Sequence, residues 1–161
     1  MIPESTIHEK FIRLVLEMAG ENALSLTGGP FAAIVVRNGK VVGQGTNKVT
    51  STNDPTAHAE VMAIRDACQN LGTFQLDGCD LYTSCEPCPM CLGAIYWARP
   101  ARVFFAATQK EASAAGFDDS FIYQQIPLPY EQRSIPFINL KHHDFNKPFE
   151  LWEVNDKKTE Y

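Results

Sequence analysis

Phe31-Ala32-Ala33-Ile34-Val35-Val36-Arg37-Asn38-Gly39-Lys40-Val41-Val42-Gly43-Gln44-Gly45-Thr46 is the stretch on which the architecture turns. Two β-rich runs, 31–37 and 40–46, flank Asn38-Gly39, the strongest short-range signal for a tight turn, and so predict an antiparallel hairpin. Upstream, Thr6-x-x-Glu9 has the form of a capping box. Ile7, Phe11, Leu14, Val15 and Met18 recur at helical spacing, which predicts a helix from about Ile7 to Leu24, ended by Gly28-Gly29-Pro30. Downstream, Asp54-Pro55 reads as an N-cap with proline at the first helical position. The stripe Val61, Ile64, Cys68 and Leu71 then marks a second helix that opens just before His58 and stops at Gly72.

Cys79–Thr83 reads as a third strand, a third helix starts near Pro87 and is halted by Arg99-Pro100, and Arg102–Ala107 reads as a fourth strand. Beyond it the pattern predicts a helix over Gln109–Ala115, a fifth strand over Pro136–Leu140 and a terminal helix over Phe145–Lys158. A hairpin followed by helix-strand-helix-strand implies an α/β layer fold. Its later strands are parallel, because helical crossovers join them right-handedly. Active sites of such sheets gather where strands feed helix N-termini.

The 161 residues suit one domain, and a hydrophobic content of 45% against 20% charge supplies a core. The net charge of −5 argues against a nucleic-acid surface, which needs an excess of Lys and Arg, and favours a small or neutral substrate. The first 20 residues interrupt their apolar positions with charge, unlike a secretion signal, and no segment approaches the roughly 20 apolar residues needed to span a bilayer. Five cysteines, three of them within Cys85–Cys91, suggest metal or redox use in a cytoplasmic protein.

The chemistry concentrates in His58-Ala59-Glu60 and Pro87-Cys88-Pro89-Met90-Cys91, each at a helix start. One imidazole and two thiolates suit Zn²⁺, and three protein ligands leave a fourth position for water, as in catalytic zinc sites. Cys88 and Cys91 share a helical face. His58 and Glu60, two apart, reach one site only over the end of their helix. A carboxylate beside the metal but not bound to it would take and return protons, and that is Glu60. H-x-E with P-C-x-x-C is a known signature of zinc nucleobase deaminases.

Competing readings are weaker. Cys85-x-x-Cys88-x-x-Cys91 also opens an iron–sulfur run, but the position four beyond Cys91 is Ile95. A dithiol at Cys85 and Cys88 leaves His58-x-Glu60 unexplained. A zinc-stabilised binding module without turnover would need a fourth protein ligand such as Cys85. Cys68 and Cys79 read as core residues, and His8, His142 and His143 lack a partner at metal spacing.

Around these motifs the chain resembles bacterial guanine deaminases of the cytidine deaminase superfamily. The likeness extends to Gly28-Gly29-Pro30-Phe31, Asn53 to Glu60, Cys85 to Trp97, Ala115-Gly116-Phe117-Asp118-Asp119-Ser120-Phe121-Ile122-Tyr123 and a tail ending in Tyr161. It implies a three-layer α/β/α fold on a five-stranded mixed sheet, and zinc-dependent hydrolysis of guanine to xanthine and ammonia with Glu60 as proton shuttle. It further implies that Asn47 hydrogen-bonds the purine and that Asp119 faces the substrate. Without the resemblance, Asn47 reads as a turn residue and Asp118-Asp119 as a solvated loop or cap. Phe31 serves equally as an apolar wall against the base or as core, and Trp97 is a candidate border of the pocket. Guanosine deaminase and tRNA adenosine deaminase are the alternatives within the superfamily. A last implication is a homodimer that exchanges a C-terminal segment of roughly 142–161, with Tyr161 covering the partner's site.

Overall fold

In the computed structural model, which describes residues 4–161, four strands form one sheet in the order β2-β1-β3-β4. They are β1 (Ala32–Arg37), β2 (Lys40–Thr46), β3 (Asp80–Cys85) and β4 (Arg102–Ala107). The hairpin forms as predicted, with Asn38 and Gly39 both at positive φ, and β1 pairs antiparallel with β2 and with β3. β3 and β4 run parallel, joined by a helical crossover. Every residue of β1 from Ala32 to Val36 is buried, so this strand is covered on both faces.

The pleat divides those residues. Ala33 and Val35 pack with Leu81 against Ala59, Ala63 and Ala67 of α3 (Ala59–Leu71) and Ile95 and Ala98 of α4 (Pro89–Ala98). Ala32, Ile34 and Val36 pack with Tyr82 against Phe11, Val15 and Ala19 of α1 (Glu4–Leu24). Helices thus cover both faces in three layers. The fit of α3 to the sheet is unusually close because small residues meet small residues: a side chain at Gly43 would strike the Ala67 backbone, and one at Gly45 the Ala59 carbonyl. This proximity fixes the start of α3, where His58 and Glu60 lie.

The chain divides into two compact units, one ending at Ser120 and one running from Phe121 to Tyr161. The second is built around α6 (Ser120–Gln125), a 3-10 turn at Tyr130–Gln132 and α7 (Lys147–Glu153). Within it the Arg133 guanidinium lies 4.8 Å from the ring centroids of both Tyr130 and Phe137 and donates to the carbonyls of Leu128 and Ile126. No residue of this unit is buried.

Several boundaries differ from expectation. Residues 136–140 form no fifth strand: no neighbouring strand pairs with them among the described residues, Pro136 lacks a donor, and Ile138 and Leu140 are 77% and 85% exposed. α1 already runs at Glu4, so Thr6 lies inside its first turn and cannot be its cap. Asp54 caps a local turn through the Thr56 backbone N–H and hydroxyl, which postpones α3 to Ala59. The terminal helix stops at Glu153, and beyond its cap Val154 the Asn155 side chain accepts from the Lys157 N–H in a turn of its own. The short helices α2 (Val49–Thr52) and α6 carry too little periodicity to be read from sequence, whereas α5 (Gln109–Ala114) falls where expected. Among the described residues, no helix is long and apolar enough to cross a membrane.

Candidate active site

Two helix starts face one another. His58 is the N-cap of α3 and Cys88 the N-cap of α4, both with extended backbone, and neither side chain caps its own helix. The imidazole and thiol are therefore turned over the helix ends, where the positive end of each dipole favours a thiolate. Cys91, one turn into α4, completes the group. His58 Nδ1 lies 3.5 Å from Cys88 Sγ and 3.6 Å from Cys91 Sγ. Zinc bonds of about 2.3 Å to sulfur and about 2.0 Å to nitrogen, meeting at a tetrahedral angle, would separate such atoms by about 3.5 Å. The donor set fits the ion in both chemistry and spacing.

Charge balance in this cluster follows from its hydrogen bonds. The Cys91 thiol beside Cys88, with help from His58, pulls Cys88 down to about 4. The same pairing, together with burial and the neighbouring Glu60 carboxylate, drives Cys91 up. His58 is raised, first by its bond to Cys88. A thiolate and an imidazole are thus held together before any ion adds its charge.

Glu60 is buried in the first turn of α3. Its carboxyl accepts from the Thr83 hydroxyl at 3.2 Å and from Cys91 Sγ at 3.3 Å, and burial raises its pKa. A buried carboxyl with a raised pKa, held beside the donor group without belonging to it, is suited to passing protons.

His58, Cys88 and Glu60 line a cleft of about 270 Å³, just below the roughly 300 Å³ at which ordinary small-molecule pockets begin. Phe31 stands in it edge-on to Phe117, ring centroids 4.9 Å apart. Asn47 is buried at its rim. Its Oδ1 accepts from the backbone N–H groups of Gly29 (3.2 Å) and Val49 (3.3 Å), so the donor half of the amide is what it can offer a ligand. Gly28 makes that arrangement possible, since any side chain there would collide with the Asn47 carbonyl. Asp119 lies on the cleft wall, and the Cys85 thiol, pushed up to about 11 by burial, lines it as a neutral group.

Residues 5–107 match the family model of the cytidine and deoxycytidylate deaminase zinc-binding region. The chain belongs to this deaminase family. It is 54% identical to the guanine deaminase of Bacillus subtilis over 96% of its own length and 99% of that protein's. The X-ray structure of a guanine deaminase from that organism superimposes with a TM-score of 0.94 at 54% identity, covering 96% of this chain and 98% of the other. A tRNA-specific adenosine deaminase of Aquifex aeolicus is 40% identical over 64% of this chain and 68% of its own. A chain solved in complex with 2,6-diaminopurine is 39% identical with a TM-score of 0.66, over 70% of this chain and 62% of its own.

Of the residues singled out by sequence, this deaminase-family chain brings His58, Cys88, Cys91, Glu60, Asn47, Phe31 and Asp119 to one place. Trp97, expected at the pocket border, is not among the residues lining the cleft; it lies on α4 and is 65% exposed. Tyr161 ends the second unit, 71% exposed. The spacing of His142 and His143 indicated no metal partner, yet their donor atoms and that of Asp144 lie within 4.8 Å of one another, all three exposed on a turn. Thr83, Gln109, Ala112 and the Phe117 ring escaped the sequence reading as site residues. The deaminase signature covers only the donor group and Glu60; Gln109, Ala112 and Phe117 reach the cleft from α5 and the loop after it, and Thr83 on β3 meets Glu60.

Proposed function

We propose that this chain is a zinc-dependent guanine deaminase: water adds at C2 of guanine, the exocyclic amine leaves as ammonia, and xanthine is the product. One observation carries the reading: a cleft of about 270 Å³ is lined by His58 and Cys88 of the His58–Cys88–Cys91 group and by buried Glu60, in a chain whose near full-length relative is a guanine deaminase. His58, Cys88 and Cys91 would hold the ion, which when bound acts as a Lewis acid that lowers the pKa of water.

The remaining chemistry belongs to side chains. Glu60, steadied by Thr83, takes one proton of the attacking water to the ring nitrogen, then takes the remaining proton of the hydroxyl now on C2 to the departing amine as the C2 carbonyl forms. The Asn47 amide donates to an acceptor of the purine, and Asp119 accepts from its N–H edge. Phe31 and Phe117 wall the base on apolar surface. Five cysteines, three of them within Cys85–Cys91, support a reducing, cytoplasmic setting.

The test is ammonia release from guanine, guanosine, adenine, cytosine and a tRNA anticodon stem. Guanine is expected to be the preferred substrate and guanosine a poor one. Faster turnover of guanosine would make the chain a guanosine deaminase, and turnover confined to the tRNA stem would make it a tRNA adenosine deaminase.

The same reading includes a dimer that exchanges the C-terminal segment, roughly 142–161, with Tyr161 as a lid on the partner's cleft. It is supported by the second unit itself, whose Phe137, Ile138, Leu140, Phe149, Leu151 and Val154 are all exposed in the single chain, apolar surface that a partner subunit would cover. Deleting residues 155–161 should lower guanine turnover without loss of zinc. Mixing that deletion with full-length Glu60→Gln should restore part of the activity through mixed dimers. Full activity of the truncated protein alone, or a strictly monomeric full-length chain in sedimentation, would refute the lid.

A further inference from the structure

Two adjacent acids at the cleft are used differently. Asp118 Oδ1 accepts from the Ser120 N–H at 2.9 Å and so organises the start of α6, whereas Asp119 Oδ1 accepts from Gln109 Nε2 at 2.6 Å. Only the amide nitrogen of Gln109 can face a carboxylate oxygen at that distance, because the alternative flip would oppose two acceptors.

The donor is better anchored than the acid it holds. Gln109 is the first residue of α5, behind the N-cap Thr108, whose backbone N–H and hydroxyl are both bound by Glu111. The Gln109 backbone N–H donates to Glu86 Oε2 at 3.0 Å, and the Glu86 N–H donates to the Ala107 carbonyl at 2.8 Å. Glu86 stands two residues before Cys88, so one bonded chain runs from the thiolate loop through Gln109 to Asp119. Asp119 itself follows a turn in which Gly116 has a φ of +93°.

We infer that Gln109 is a positioning residue for substrate recognition. It fixes one oxygen of Asp119 and leaves the other to accept from an N–H of the bound purine. An amide is suited to this task because it restrains the carboxylate without neutralising it, as a lysine or arginine would. The tie through Glu86 holds that acceptor at a set distance from the donor group at which the amine is displaced. This inference rests on the guanine reading and adds to it the residue that orients the acceptor.

The experiment compares Gln109→Met, Asp119→Asn and the double variant in the zinc-loaded full chain. It reads kcat and KM for guanine, xanthine binding by calorimetry, zinc content and melting temperature. Gln109→Met is expected to lower kcat/KM about 10-fold or more, the size of one hydrogen bond to a charged group, and to weaken xanthine binding in parallel. In the Asp119→Asn background the same change should alter kcat/KM by less than about twofold, because the carboxylate that it orients is gone. Gln109→Glu, nearly identical in size, places a second carboxylate against Asp119 and should show the same dependence on background if the methionine variant fails to fold.

Equal losses in both backgrounds, or unchanged kcat/KM in the single variants, would overturn the positioning role while leaving the guanine reading intact. A wild-type chain that releases no ammonia from guanine would overturn that reading and this inference with it.

Discussion

Glu60→Gln is expected to keep one zinc per chain and to lose about 10³-fold or more in kcat, roughly 4 kcal/mol of barrier. The substitution preserves volume, and an amide oxygen can still accept the Thr83 hydroxyl that now reaches the carboxyl at 3.2 Å. What disappears is the capacity to take a proton from water and return it to the purine. Burial already disfavours the charged form of Glu60, so removing the charge should leave the melting temperature at or slightly above the wild-type value. Ammonia release, metal analysis and thermal melting on the same preparation distinguish this from unfolding. Turnover within about tenfold of wild type would exclude Glu60 from the proton transfers, since general acid–base catalysis is worth at least about 10²-fold.

Cys88→Ala and His58→Ala should fail in a different way. Each leaves a two-ligand set, so zinc content should fall well below one per chain, activity should vanish, and added zinc should not restore it. A ligand at 100 times its dissociation constant stabilises a fold by about 2.7 kcal/mol, so the wild type should melt lower after chelation while these variants should respond little to a chelator. Cys85→Ser is the internal control. The Cys85 thiol is held neutral at a pKa of about 11 and lies within reach of the Thr108 carbonyl at 3.6 Å, so its replacement should leave zinc in place. Loss of zinc from Cys85→Ser as well would indicate a closed thiolate set and a structural rather than catalytic metal.

The contrast between these variants follows from where the two motifs sit on their helices. A histidine and a carboxylate two residues apart diverge on a regular helix, and here they converge because His58 is outside the helix, at its cap, while Glu60 is inside its first turn. Cys88 and Cys91 repeat the pattern on α4. Under the proposed reading, ligand and proton carrier are neighbours in sequence but separate in role, so one substitution should remove chemistry and the other metal.

The hairpin at Asn38-Gly39, the parallel pairing of β3 with β4, and the donor group with Glu60 were all legible in the sequence. Each depends on local rules: a turn dipeptide between β-branched runs, a helical crossover, and side chains whose chemistry needs short spacing at helix starts. The helix start that Asp54-Pro55 suggests is postponed, because the Asp54 carboxylate finds Thr56 first. The strand suggested by residues 136–140 is absent, because extended residues become a strand only beside a partner. The contact of Gly43 and Gly45 with α3, the Phe31–Phe117 wall and the Gln109–Asp119 bond were likewise decided by the tertiary structure alone. These pairs come from separate elements, and no spacing along the chain encodes which side chains two packed layers will press together.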